Sequence, residues 1–263
     1  MHGRRFSSGA PNGPEPAATS ASGLQFPNPE SRIPNPSSKM IRFDNVSKRY
    51  ASGHDALAEL TFGIEAGEMV FVTGHSGAGK STLLKLVALM QRPTRGQITV
   101  NGSVLARLRR GPVPRLRRSI GMVFQDHRLL LDRSVFDNVA LPLVIAGLRR
   151  EEIGKRVRAA LDKVGLLARE KAAPQTLSTG EQQRVGIARA IVAKPPLIIA
   201  DEPTGNLDPG LSTEIMGLFA EFGRAGATVV VASHDLHLIR RLGKRVLVLD
   251  HGRLIDDFRP DAA

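Results

Sequence analysis

The chain has 263 residues, 41% of them hydrophobic, a formal charge of +12 at pH 7 and no cysteine. That length and apolar content fit one large domain or two small ones and exclude wholesale disorder. The lack of thiols excludes a disulfide framework and thiolate metal sites, and fits a reducing cytosol.

The basic balance suits nucleic acid, an anionic membrane surface or nucleotide phosphates, and does not choose among them. No apolar run approaches the roughly 20 residues of a membrane span. The nearest, Val139 to Leu148, is short and holds Pro142. Arg4 and Arg5 are followed by Ser, Gly and Pro, so the N-terminus does not read as a signal peptide. The expectation is a soluble cytosolic protein whose membrane role comes through a partner or surface charge.

Residues 1–39 carry seven of the 17 prolines among Ser, Gly and Asn. Such a segment buries too little surface to offset its ordering entropy, which predicts a disordered tail. Met40 is a candidate translation start, because the first strand-like alternation opens there with Ile41, Phe43 and Val46 on one face. Met69 to Thr73 is a short apolar run ending in a Gly-rich turn, and Lys80 to Met90 has helical spacing. Ile120, Met122 and Phe124 alternate as a strand, and Glu151 to Val164 reads as an amphipathic helix with Ile153, Val157, Ala160, Leu161 and Val164 inward. Leu197 to Ala200, Ala227 to Ala232 and Val246 to Leu249 read as buried strands, and Leu211 to Phe222 as a helix. The alternation predicts an α/β fold with a mainly parallel sheet, interrupted over about 130–190 by an inserted helical subdomain.

Gly74-His75-Ser76-Gly77-Ala78-Gly79-Lys80-Ser81 matches G-x-x-x-x-G-K-[ST] in full and lies between a strand and a helix. Glycines let backbone N–H groups turn inward around phosphate oxygens, and the helix N-terminus adds its partial positive charge. Lys80 is placed to reach the β- and γ-phosphates, and the Ser81 hydroxyl to ligate Mg²⁺. Asp201 and Glu202 follow the apolar run Leu197 to Ala200, at the strand end where open α/β sheets bind ligands. Asp201 is a candidate Mg²⁺ ligand, and Glu202 the candidate base or orienter of the attacking water.

Three further stretches narrow the reading. Leu177-Ser178-Thr179-Gly180-Glu181-Gln182-Gln183-Arg184 resembles the ABC signature, Gln125 the Q-loop glutamine, and His234 in Val231-Ala232-Ser233-His234-Asp235 the switch histidine. Asn206-Leu207-Asp208 resembles the D-loop, and Tyr50, the single tyrosine, falls where such proteins stack an aromatic on adenine. These elements resemble an ABC nucleotide-binding domain over 40–263. That implies a RecA-like P-loop NTPase core with an antiparallel β subdomain and the inserted helical subdomain.

Finer wording in Gly121 to Leu130, Asp132 to Leu143, Leu161 to Leu167 and Glu181 to Ala190 is similar to the FtsE family of bacterial cell-division ATPases. Lipoprotein-releasing and macrolide-export ATPases are the alternative. The resemblance implies ATP on Tyr50, with Gly74, His75, Ser76, Gly77, Ala78, Gly79, Lys80, Ser81 and Thr82 around the phosphates. It implies Mg²⁺ on Ser81, Gln125 and Asp201, and Glu202, Gln125 and His234 in catalysis. Ser178, Thr179, Gly180 and Glu181 would cover the ATP of a second copy, with Asp208 at the same interface. Implied partners are a homodimer mate and an FtsX-like permease, met near Phe124 to Val139, with placement on the cytoplasmic face of the membrane. Control of cell-wall hydrolysis through that permease is the implied output.

The signature departs from the family's usual Leu-Ser-Gly-Gly at Thr179. A Cβ there restricts positive φ and adds bulk, which predicts a retained but weakened closure of the ATP sandwich. Arg107, Arg109, Arg110, Arg115, Arg117 and Arg118, with Arg149, Arg150, Lys155, Arg156 and Arg158, read either as a solvated basic face or as an anionic-lipid contact. A soluble ABC ATPase acting on nucleic acid usually carries a coiled-coil insertion or a second cassette. Neither is present in the sequence, so no nucleic-acid partner is expected.

Overall fold

The computed structural model describes residues 39–205 and 207–260. The expected disordered tail and Asn206 of the D-loop stretch lie outside those residues, apart from Lys39. Two sheets organise the fold. A four-stranded antiparallel sheet has the order β2-β1-β4-β5, from β1 (Lys39–Arg49), β2 (Asp55–Glu65), β4 (Arg95–Val100) and β5 (Ser103–Val104). A six-stranded sheet has the order β10-β9-β3-β8-β7-β6, from β3 (Met69–Thr73), β6 (Ile120–Val123), β7 (Leu197–Asp201), β8 (Thr228–Ala232), β9 (Arg245–Asp250) and β10 (Arg253–Phe258). Its first five strands in sequence run parallel, and β10 pairs antiparallel with β9.

Strands β3, β7 and β8 are buried at every residue. They therefore read as continuous apolar runs, as parallel strands covered on both faces do. Alternate side chains nonetheless serve different cores. Val70, Val72, Ile199, Val230 and Leu247 pack with α1 (Lys80–Val87) and the antiparallel sheet. Phe71, Ile198, Val229, Val231 and Val246 pack toward the helices on the other face. Those helices include α3 (Val135–Ile145), α4 (Arg150–Lys163), α5 (Thr179–Ile191) and α6 (Pro209–Arg224). Short helices α2 (Val113–Arg118) and α7 (Leu236–Leu242) complete the chain.

Most element boundaries move by one or two residues from the sequence reading. Three differences have physical causes. The inward residues Phe43 and Val46 are three apart, against a strand period of two, because β1 shifts register there and Asn45 takes φ 47°. That is a bulge, with the Asn45 N–H donated to Thr61 Oγ1 at 3.0 Å. Helix α1 ends at Val87 rather than Met90: Leu89 adopts φ 50°, and Met90 is exposed. Phe124 falls just beyond β6, partly buried beneath the Arg128 guanidinium at 4.4 Å. Val139 is fully buried core.

Helices α3, α4 and α5 pack on one another through Val139, Leu143, Val157, Leu161, Val185 and Ile187. Each fully buried Leu, Ile or Val contributes about 1.5–3 kcal/mol. The five inward residues read for α4 and its C-cap are all buried. Ser134 caps α3, its Oγ accepting from the Asp137 N–H at 3.1 Å.

Candidate nucleotide site

The order of the parallel sheet places β3 and β7 on either side of β8, so their C-terminal ends open on the same edge. There a cleft of about 620 Å³ is lined by the phosphate loop, Tyr50, Gln125, Glu202 and His234. The loop needs glycine for reasons the backbone makes explicit. Gly74 has φ 146°, and a Cβ would fall 2.1 Å from the Leu249 carbonyl oxygen. Gly79 has φ 107°, and a Cβ would meet Leu57 Cδ2 at 2.6 Å and Ala56 O at 2.7 Å. Only glycine lets this backbone lie so close to β9 and β2 in the curled conformation that suits an anion.

Lys80 is 8% exposed, and its ammonium donates to the carbonyls of Gly74 at 2.8 Å and His75 at 3.2 Å. Its own loop thus holds the charge at the cleft floor, 3.6 Å from Glu202 Oε1. The Ser81 hydroxyl donates to Asp201 Oδ1 at 2.9 Å, joining residues 120 apart in sequence. Burial pushes the Asp201 carboxyl above its ordinary range, and the Ser81 hydrogen bond opposes that. A hydroxyl and a carboxylate oxygen in contact, with the Gln125 side chain lining the same cleft, form an all-oxygen donor set suited to Mg²⁺.

Glu202 adopts φ 47° immediately after β7, with its N–H donated to Ala232 O at 3.0 Å. Left-handed backbone at a non-glycine residue costs on the order of 1 kcal/mol and is characteristic of functional sites. The turn directs the carboxylate between Lys80 and His234, whose Nδ1 lies 2.8 Å from Glu202 Oε2. Tyr50 is partly buried, and its hydroxyl is 3.2 Å from Thr82 Oγ1, on the first turn of α1. His54 and Ala56 also line the cleft. Sequence reasoning missed both; the available signal was their proximity to Tyr50 in the β1–β2 turn.

The signature residues do not line this cleft. Ser178 is the N-cap of α5 in a complete capping box: its Oγ accepts from the Glu181 N–H at 3.3 Å, and its N–H donates to Glu181 Oε2 at 2.8 Å. The Ser178 N–H chiefly holds the Glu181 carboxyl below its ordinary range. Thr179 is the first helical residue, exposed and not in the positive-φ region. Position 179 therefore makes no demand for positive φ within the chain, and the expected weakening of closure rests on the bulk of the side chain alone. A Cβ at Gly180 would lie 2.3 Å from Leu211 Cδ2, so the Leu211 side chain would have to shift to admit one. Asp208 caps α6, its Oδ1 accepting from the Leu211 N–H at 3.0 Å, and also lies away from the cleft.

The ABC transporter family model matches residues 57–205, which run from β2 through the phosphate loop and α5 to the turn after β7. The chain belongs to the ABC transporter family. Within that family it is similar to the cell division ATP-binding protein FtsE of Escherichia coli K12, at 58% identity over 82% of this chain and 97% of that protein. FtsE of Bacillus subtilis 168 is 44% identical over 83% of this chain and 96% of its own length. An ATP-binding cassette solved as a dimer in a post-hydrolysis state with ADP and Pi superposes with TM-score 0.79 and 34% identity. It covers 85% of this chain and 100% of that one. This ABC protein is an ATPase of the P-loop type. No helix among the described residues is long and apolar enough to cross a membrane.

Proposed function

We propose that this chain is the ATP-hydrolysing subunit of an FtsE–FtsX-like complex in bacterial cell division, working as a homodimer against an integral membrane partner. The single observation that carries the hydrolytic half is Glu202 held between Lys80 and His234 at the cleft floor. The cell-division half rests on the likeness to FtsE proteins from several bacteria.

Adenine stacks on Tyr50, and the phosphates lie in the Gly74–Ser81 loop. Lys80 turns its ammonium from the loop carbonyls to the β- and γ-phosphate oxygens. Ser81, Asp201 and Gln125 would hold Mg²⁺, which would supply neutralisation of phosphate charge. Glu202 orients the attacking water and accepts its proton. His234, bonded through Nδ1, fixes the carboxylate and presents its other ring nitrogen toward the γ-phosphate. Positioning and charge stabilisation supply most of the acceleration in phosphoryl transfer.

Ser178 and Gly180 of one copy cover the triphosphate of the other, so hydrolysis requires dimer closure. The placement of the signature supports this reading: Ser178 to Glu181 open α5 and do not line their own chain's cleft, so the partial positive charge of that helix N-terminus is left for an anion of another copy. Closure and reopening then move the membrane partner, whose output is control of cell-wall hydrolysis. The chain sits on the cytoplasmic face through that partner. Arg107, Arg109, Arg110 and Arg115 are exposed and face anionic lipid beside it, whereas Arg117 and Arg118 donate to the carbonyls of Leu89 and Ile145.

Steady-state phosphate release from purified protein in MgATP tests the enzymatic core. The parent hydrolyses ATP, and Lys80→Ala loses nucleotide affinity at least tenfold. Equal affinity in the variant would overturn the assignment of the phosphate grip.

A further inference from the structure

At one lip of the nucleotide cleft, three metal-ligating side chains converge that the hydrolytic reading does not use as a group. His75 lies in the phosphate loop, Asp250 ends β9, and His251 opens the β9–β10 turn. One ligand atom from each lies within 4.8 Å of the other two. His75 Nε2 is 3.0 Å and His251 Nε2 is 3.8 Å from the same Asp250 Oδ1. We propose that His75, Asp250 and His251 form a binding site for a divalent transition-metal cation of the Zn²⁺ class, bridging the phosphate loop to the β9–β10 turn.

Tetrahedral Zn²⁺ with bonds of about 2.0–2.1 Å separates its ligand atoms by roughly 3.3 Å. The His75–Asp250 pair is already near that spacing. His251 closes the remainder by a small side-chain rotation, which its 83% exposure permits.

The environment of His75 is compatible with metal ligation. Its Nδ1 lies 2.6 Å from the Ser76 carbonyl, and its Nε2 faces the Asp250 carboxylate. Both nitrogens therefore face oxygen acceptors, so Nδ1 has a partner that leaves Nε2 directed at the Asp250 carboxylate. With a metal ion at Nε2, Nδ1–H donates to the carbonyl, which is the usual arrangement for a ligating histidine.

The two halves of the site are fixed relative to each other by backbone. The Gly252 N–H donates to Ala78 O at 3.1 Å, and the Ala58 N–H to Gly252 O at 2.8 Å. Two imidazoles and one carboxylate favour Zn²⁺ and its transition-metal neighbours over Mg²⁺, which prefers all-oxygen octahedral sites. The site is thus chemically distinct from the Ser81–Asp201 pair. Three protein ligands at an exposed position leave a fourth place for water.

The test uses the nucleotide-free full chain, with Zn²⁺ titrated calorimetrically at pH 7.5 in millimolar Mg²⁺, and Co²⁺ as the spectroscopic probe of geometry. The expected result is one ion per chain and a rise in melting temperature of about 5 °C at hundredfold excess over Kd. His251→Ala, outside the nucleotide grip, keeps its MgATPase activity and binds Zn²⁺ at least tenfold more weakly; Asp250→Asn weakens it likewise. Absence of binding below millimolar Zn²⁺, displacement by Mg²⁺, or unchanged affinity in both variants would overturn the proposal. None of these outcomes bears on whether the chain hydrolyses ATP.

Discussion

Glu202 Oε2 lies 2.8 Å from His234 Nδ1, although the two residues belong to turns after different strands, β7 and β8. The parallel register that pairs Asp201 with Ala232 brings those turns side by side. The Glu202 carboxylate, the proposed catalytic base, is thus positioned by the register of the sheet.

The first prediction concerns this pair. Glu202→Gln removes the proton acceptor while keeping shape, and kcat falls about 10²–10⁴-fold with nucleotide affinity retained. His234→Ala leaves Glu202 facing Lys80 alone and lowers kcat roughly tenfold or more. Single-turnover hydrolysis measures both. A His234→Ala variant with parental kcat would show that the hydrogen bond has no part in catalysis.

The capping box gives a second prediction. Ser178→Ala removes the acceptor for the Glu181 N–H and destabilises the fold by about 1 kcal/mol. Thr179→Gly places the poorer helix former at the first turn of α5 and costs about 0.5 kcal/mol. Because Thr179 is exposed and helical, the same change leaves basal ATPase activity near the parental rate. Urea denaturation and phosphate release separate the two effects.

A third prediction follows from the clip joining β10 to the rest of the sheet. The Arg245 guanidinium donates to both oxygens of Asp257 at 2.7 Å and to Gly63 O at 2.9 Å, and meets Glu68 at 3.3 Å. The Arg245 hydrogen bonds hold the Asp257 carboxyl below its ordinary range, and Asp257 holds the guanidinium charged above its own. A depressed acid stabilises the fold above its unfolded pKa, near 3.9, and loses that contribution as pH falls through the folded value. Glu181 behaves with the same sign. Between about pH 4 and 2 the parent therefore loses more stability than Asp257→Asn, by no more than about 1 kcal/mol after solvent screening. Melting curves across that range that run parallel for the two proteins would contradict it.

Where local pattern and tertiary environment agree, the sequence is readable. β3, β7 and β8 are apolar throughout because both faces are covered, and α4 shows its inward stripe because one face alone is buried. The phosphate loop was legible because a single continuous stretch carries the strand, the glycines and the helix start.

What escaped depends on contacts between distant segments or on one backbone angle. The bulge at Asn45 and the early end of α1 at Leu89 are single positive-φ residues that no periodicity marks. The role of Thr179 could not be judged before its helical conformation was known. His75, Asp250 and His251 meet because Gly74 lets the phosphate loop touch the end of β9, a contact between residues 175 apart that no spacing in the chain announces.

The most direct test of a triphosphate shared between two copies is the solution mass of Glu202→Gln in saturating MgATP, measured by light scattering on a sizing column. Blocked hydrolysis should trap the closed form, so the protein should elute with bound ATP at twice the monomer mass and return to monomer when nucleotide is removed. A Glu202→Gln protein that stays monomeric with ATP bound, or holds no ATP at all, would contradict it.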